Sequence, residues 1–211
     1  MNDTISIDRG ALARRGRRLE YVTIAWNMLE ALAALISGLL AGSIALVGFG
    51  LDSVIEVVSG TALLWRLRQD ADERRRAAAE RIALRIVGTC FIALSIYITV
   101  DSLHSLISRK APEHSIAGIV VAIAALVAMP LLARAKRELA RQLSSAALHA
   151  DAKQTDFCMY LAAIVLGGLA LNLLLGWWWA DPLAGLVMVP IIAREGVTAL
   201  QGKTCADGCG H

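Results

Sequence analysis

The stretch from residue 43 to residue 65 reads SIALVGFGLDSVIEVVSGTALLW. It is long enough to cross a bilayer as a helix, which takes about 20 residues. It nevertheless carries two acidic residues, Asp52 and Glu56, in the middle of the apolar run. A charged side chain at the centre of a bilayer costs ~2.5–3.5 kcal/mol on insertion scales, so each carboxyl group must have a partner or a function.

The two acidic residues belong to one narrow face of the predicted helix. Gly48, Asp52, Glu56 and Gly60 follow one another in steps of four, and residues i and i+4 share a helix face. Two carboxylates at this spacing repel each other in a low dielectric, so either one stays protonated or a cation lies between them. The pattern therefore predicts a proton-coupled cation site. The alternative is that hydroxyl groups or a basic residue of another helix bind both carboxyl groups, but no Lys or Arg lies near the middle of any predicted span.

Five further apolar segments make this an all-α membrane protein with six transmembrane helices. The chain of 211 residues is 57% hydrophobic and 18% charged, against about 45–50% and about 25% in soluble domains. Lipid cannot satisfy unpaired backbone groups, so the spans must be helices. Asp181 before Pro182 predicts an N-cap for the sixth helix. The predicted spans are 21–41, 43–65, 82–107, 116–132, 147–175 and 183–200.

The basic residues predict the orientation. With the N-terminus inside, every Lys and Arg except Arg109 and Lys110 falls on the cytoplasmic side, as the positive-inside rule requires. Both termini are then cytoplasmic. Three parts follow: a basic N-terminus over 1–18, a six-helix transporter domain over 19–200 and a Cys/His tail over 201–211. The net charge of +3 follows this membrane pattern, so we expect lipid and no nucleic acid as a partner. We expect a bacterial inner membrane protein.

The start of the fifth helix offers further metal ligands. Asp151, Gln154 and Cys158 fall on one helix face, and Asp156 lies on another. Oxygen donors with a thiolate suit zinc, whereas oxygen donors alone suit magnesium or manganese. Packing of Cys158 as a small hydrophobic residue is the alternative. The predicted spans place Cys158 nearer the cytoplasm than Asp52.

Two other groups of residues could assist. Asn27 and Glu30, at i and i+3 of the first helix, predict a proton relay or support behind the metal ligands, with interhelical hydrogen bonding as the alternative. Cys205, Cys209 and His211 in the tail offer three ligands for zinc or copper(I). A closed site needs a fourth ligand, so a partner would have to complete it. A tail without a specific role is the alternative.

The first hairpin resembles that of the cation diffusion facilitators. The matching pattern is N-x2-E-A-x5-SG-x3-GS-x-AL-x3-G-x-D-S-x-x-E, which begins at Asn27 and ends at Glu56. The resemblance, over 19–200, implies a six-helix transporter whose second helix binds metal through D-x3-D or H-x3-D. These positions fall on Asp52 and Glu56. WADPLAGL, from residue 179, is similar to the start of the family's sixth helix.

The fifth-helix segment LHADAKQTDFC is similar to the family motif A-D-x2-H-x3-D, but the usual ligand positions fall on Gln154 and Cys158. Asp151 or Asp156 could then supply the missing charge. Most family members carry a cytoplasmic metal-binding domain after the sixth helix, which supports dimerisation. The resemblance therefore implies a short branch without that domain, with the tail as a small substitute and a homodimer by analogy.

The function predicted from these residues is export of a divalent metal, with zinc as first choice, in exchange for protons and without a prosthetic group. We do not expect an enzyme, because the sequence shows no nucleophile–base pair and no phosphate loop. One alternative is a proton-coupled antiporter of organic cations, although the spans are poor in the aromatic residues such a pocket uses. Another is a membrane metal-sensing or assembly protein that binds through its tail.

Overall fold

The computed structural model describes residues 3–68, 73–109, 112–143 and 146–201, and these form six α-helices. Each helix contains a segment long and apolar enough to cross a membrane. The predicted fold class, an all-α membrane protein with six spans, is confirmed. The helices are α1 (Asp3–Ala41), α2 (Ile44–Arg68), α3 (Glu73–Ser108), α4 (Ile116–Leu143), α5 (Ala146–Leu175) and α6 (Ala180–Leu200).

Few residues separate successive helices, so neighbours in the chain run in opposite directions. Between α1 and α2, Gly42 adopts a φ of +65°, which glycine tolerates best, and the Ser43 N–H donates to the Gly38 carbonyl. One end of the bundle therefore holds the starts of α1, α3 and α5 and the ends of α2, α4 and α6. We call it the basic end, because nearly all Lys and Arg residues cluster there. That this end is cytoplasmic stays a prediction.

Helix α2 lies at the centre of the bundle and packs against α1, α3, α5 and α6. The most extensive contacts join α1 to α2, α4 to α5, and α3 to α6. Phe49, Leu46 and Ile98 are fully buried in the core, whereas Leu40 and Ile107 are about four-fifths exposed on the outside. A surface of this kind is suited to lipid contact, since hydrocarbon solvates apolar side chains. The central position of α2 surrounds its acidic residues with protein.

Helix α4 differs from the prediction at its basic end. The predicted span stopped at residue 132, but the helix continues through Pro130 to Leu143. The continuation carries Lys136, whose side chain is only 1% exposed. The predicted limit of this span therefore left out a lysine that the bundle buries, and the ion pairs of this lysine are with Asp151 and Glu20. Apolar length alone defined the predicted span, and it could not show that a lysine beyond its limit would be covered by neighbouring helices.

The predicted N-cap role of Asp181 was also wrong. Asp181 lies in the first turn of α6, and Trp179 occupies the N-cap position without a side-chain hydrogen bond. The Asp181 carboxylate instead accepts hydrogen bonds from the Ser43 hydroxyl and from the Ile44 N–H, at 2.5 and 2.8 Å. The Asp181 carboxylate therefore supplies a hydrogen-bond acceptor at the start of α2, where the first N–H groups of a helix have no acceptor within the helix.

Candidate functional site

The acidic pair of α2 points into the bundle and away from lipid. Asp52 is 4% exposed and Glu56 6% exposed, and both share a face one turn apart. A buried carboxylate is stable only with hydrogen-bond or ionic partners. The neighbouring helices supply polar partners for both side chains, so this face of α2 forms the centre of a polar site.

Helix α5 contributes a thiol to Asp52. The Cys158 thiol donates a hydrogen bond to Asp52 Oδ2, with 2.8 Å between the sulfur and oxygen atoms. Cys158 is itself buried. The expected difference in depth between Cys158 and Asp52 is therefore absent, because positions counted along single helices ignore the tilt and offset of packed helices. The Cys158 thiol and the Asp52 carboxyl group can each bind a metal ion only in the deprotonated form.

Helix α1 supports the pair from the other side. Asn27 Nδ2 donates to Glu56 Oε2 at 2.7 Å. Glu30 lies beside them and accepts hydrogen bonds from Ser53 Oγ at 2.7 Å and from Trp26 Nε1 at 2.8 Å. Asn27 thus orients a proposed ligand directly, whereas Glu30 is fixed by its own donors. These positions fit support behind the ligands, and the role of a proton relay stays a prediction.

Gln154 lies one turn from Cys158 along α5, toward the basic end. Its Oε1 accepts a hydrogen bond from Ser59 of α2 at 3.3 Å. Its buried Nε2 has no hydrogen-bond partner in the described part of the chain. A buried amide group of this kind carries an energetic cost unless another group or a ligand compensates for it. Gln154 therefore lies beside the acidic pair, and its carbonyl oxygen already accepts the hydrogen bond from Ser59.

A small cavity joins these residues. It measures about 10 Å³, room for about one water molecule or a particle of similar size. Its polar lining comes from three helices, and an apolar shell surrounds it. The polar side chains are those of Asp52, Glu56, Gln154, Cys158 and Glu195, and the apolar ones are those of Phe91, Phe157, Leu161, Ile191 and Ile192.

Glu195 of α6 is a member of the site that the sequence interpretation missed. It follows Arg194, which was counted only as a cytoplasmic charge. The signal was nevertheless present: Glu195 lies three and four residues after Ile192 and Ile191, so all three share a face of α6. An acidic residue on an otherwise apolar face within a span indicates a functional position.

The structure separates Asp151 and Asp156 from the cavity. Asp151 pairs with Lys136 at 2.6 Å, and Asp156 pairs with Arg137 at 3.2 Å. Among the predicted metal ligands, Asp52, Glu56, Gln154 and Cys158 are therefore brought together, and the two remaining aspartates are held in ion pairs. The predicted tail ligands Cys205, Cys209 and His211 lie outside the described residues.

The described side chains do not form a ready-made metal cage. Within the described ranges, no three His, Cys, Asp or Glu side chains are grouped so that they could hold a metal ion. The central site therefore differs from a structural metal centre, in which four protein ligands enclose the ion. Any ion bound there would require movement of the side chains that now hydrogen-bond to one another.

A model of the cation efflux transmembrane domain matches residues 21–201. The chain belongs to the cation efflux (cation diffusion facilitator) family. The resemblance drawn from the first hairpin is thereby confirmed, and the matched residues include α2 to α6 entirely and α1 from Tyr21 onward. The family is one of transporters and not of enzymes, which is consistent with the prediction that the chain is not an enzyme.

Two proteins that are similar to this chain come from organisms that are distantly related to each other. Transmembrane protein 163 of Xenopus laevis is 28% identical over 192 residues, which cover 87% of this chain and 65% of that protein. The uncharacterized transporter sll1263 of Synechocystis is 26% identical over 153 residues, covering 70% of this chain and 49% of that protein. The chain thus matches about two thirds and about half of their lengths. Integral membrane location is supported, and a bacterial inner membrane stays a prediction.

Proposed function

We propose that this chain exports a divalent metal cation, with zinc as the preferred cargo, in exchange for protons. The observation that carries the proposal is the contact between Cys158 and Asp52. It joins a thiol from α5 to a carboxyl group from α2 inside a buried cavity, with Glu56 one turn away. Membership of the cation efflux family supports transport of a metal cation in general.

The chemistry of the site supports exchange with protons. A carboxyl or thiol group must lose its proton before it can bind a metal ion, so metal affinity depends on proton concentration. A metal ion that enters from the cytoplasm would displace protons from Asp52, Glu56 and Cys158. Protons from a more acidic exterior would later displace the metal. Because the same groups cannot hold both guests, movement of one drives movement of the other when the site opens to each side in turn.

The donor atoms favour zinc among the divalent metals. Thiolate sulfur, carboxylate oxygen and amide oxygen together suit a borderline ion, whereas magnesium and manganese prefer oxygen ligands alone. Cys158 supplies the sulfur, Asp52 and Glu56 supply carboxylates, and Gln154 lines the same cavity. Asp151 and Asp156 could join only by leaving their ion pairs. A homodimer remains a proposal by analogy with the family.

The size of the cavity supports a metal ion over an organic cation. Its volume of about 10 Å³ compares with the several hundred Å³ of typical small-molecule pockets.

Truncation after Gly202 distinguishes the proposed transporter from the alternative of a metal sensor that acts through its tail. A transporter would keep most of its flux, and a tail-based sensor would lose its activity.

Zinc flux into reconstituted vesicles with an imposed pH gradient tests the proposal. We expect D52N and E56Q each to abolish pH-driven zinc uptake, because each removes a group that exchanges protons for metal. The matched control is D101N, since Asp101 is also an acidic residue within a span but lies far along α3 from the cavity lining. Zinc transport by both site variants at the rate of the parent would overturn the assignment.

A further inference from the structure

Lys136 of α4 is a buried lysine in a protein surrounded by lipid. Its side chain is 1% exposed, and its ammonium group lies 2.6 Å from Asp151 Oδ2 and 3.6 Å from Glu20 Oε2. Thr155 Oγ1 lies 3.4 Å from the same nitrogen. Burying a lysine and two carboxylates is costly even when they are paired. Such a group within a membrane bundle indicates a functional position.

The Lys136 cluster, defined as Lys136, Glu20, Asp151 and Thr155, joins three helices and lies against a fourth. Its members come from α1, α4 and α5. Helix α2 closes the fourth side through Gly60, where an added Cβ would lie only 2.6 Å from Glu20 Oε1. The glycine thus allows the Glu20 carboxyl group to fit directly against the backbone of α2.

The cluster lies between the proposed cargo site and the basic end. The displacement can be counted on two helices: Gly60 of α2, which lies against Glu20, is one turn from Glu56, and Asp151 of α5 is two turns from Cys158, both toward the basic end. The cluster is therefore the next polar layer below the cargo site, on the side of α2 and α5 that faces α1 and α4.

We propose that the Lys136 cluster is a charge-based gate that closes the basic end of the bundle below the cargo site. The proposal rests on the proposed function for the position of the cargo. While Nζ bridges Asp151 and Glu20, α1, α4 and α5 cannot separate without exposing unpaired charges. Once the bridge opens and water enters, the same charges are solvated, so the two arrangements are discrete. A lysine suits this task because its compact charge lies on a flexible stem.

Accessibility of Cys158 tests the gate without measuring transport. The thiol reagent is methanethiosulfonate ethyltrimethylammonium, applied to sealed vesicles. It is added on the side of the membrane where the basic end lies, and an antibody against an N-terminal epitope identifies that side. We expect K136Q to raise the labelling rate of Cys158 at least tenfold. The matched control is R137Q, which breaks the neighbouring but partly exposed α4–α5 ion pair and should label like the parent. All variants carry serine in place of Cys90, Cys205 and Cys209.

A double variant covers the case in which K136Q fails to fold. K136Q/D151N removes one charge of each sign, so the net charge of the cluster is unchanged while the bridge is lost. It should label as fast as K136Q, and K136R should label like the parent. Equal labelling of K136Q/D151N and R137Q would overturn the gate. That result would leave the proposed function intact, because the function is tested by the zinc flux of D52N and E56Q.

Discussion

Cys158 Sγ and Asp52 Oδ2 lie 2.8 Å apart, although 106 residues separate them in the chain. The contact joins α5 to α2 at the wall of the central cavity. In the family motif that LHADAKQTDFC resembles, the position of Cys158 is an aspartate. The chain therefore has a softer sulfur donor at the position where the family motif has a hard oxygen donor. This exchange bears on the choice of metal.

The first prediction concerns metal selectivity. We expect C158D to shift the ratio of zinc to manganese flux toward manganese by roughly tenfold, equal to about 1.4 kcal/mol of differential binding. The reason is that an all-oxygen ligand set suits manganese, whereas sulfur favours zinc. Paired zinc and manganese uptake assays in the same vesicle preparation measure the ratio.

The control for the selectivity change is C90S. Cys90 is an exposed cysteine on α3, so its loss should leave the ratio unchanged. If C158D and the parent show the same ratio of zinc to manganese flux, the thiol does not contribute to metal choice.

The second prediction concerns Asn27. N27A removes the donor to Glu56 and should lower zinc flux by about 10–100-fold, the usual cost of losing a partner that orients a metal ligand. T23A is the matched control, because Thr23 is also buried on α1 but its hydroxyl donates to the Leu19 carbonyl of its own helix. Zinc uptake is measured at equal protein abundance. Equal flux in the two variants would contradict a supporting role for Asn27.

The sequence was sufficient to predict the six spans and the acidic face of α2. Apolar length determines a span, and the spacing of Asp52 and Glu56 determines their shared face. Both are properties of one helix. Contacts between helices were harder to predict: the partners of Asp156 and Asp181 depend on how the helices pack, and no pattern within a single helix contains that information.

Lys136 and Glu195 illustrate the same limit. Each lies near the basic end of its helix, where charged residues are usually solvated. The sequence interpretation therefore counted Lys136 among the cytoplasmic charges and did not consider Glu195. Packing of α4 against α1 and α5 covers Lys136, and packing of α6 against α5 turns Glu195 toward the cavity. The role of a charged residue in the last turns of a span can therefore be assigned only when the packing of the neighbouring helices is known.

The third prediction concerns the end of the bundle opposite the basic end. D181A leaves the Ser43 hydroxyl and the Ile44 N–H without their acceptor, which should cost about 1–3 kcal/mol of stability. The apparent melting temperature in detergent measures the loss and should fall by roughly 2–4 °C per kcal/mol. D101A is the control, since Asp101 is partly exposed and makes a long, 3.4 Å contact with Tyr97. An unchanged melting temperature for D181A would show that the link between α6 and α2 is not stabilising.

The fourth prediction uses two glycines to test the packing of α3 against α6. A Cβ at Gly88 would lie 2.8 Å from the Gly196 carbonyl oxygen and 2.9 Å from the Leu200 nitrogen, and backbone atoms cannot rotate away as a side chain can. G88A should therefore separate the two helices and cost roughly 1–3 kcal/mol, as overpacking typically does. At Gly167 of α5, a Cβ would meet no heavy atom of another element within 4 Å in the described part of the chain. G167A should therefore be neutral or stabilise by up to about 1 kcal/mol through helix propensity. Melting temperatures measured side by side should fall for G88A alone. An equal fall in melting temperature for both variants would mean that glycine at position 88 is not required for the close approach of α3 to α6.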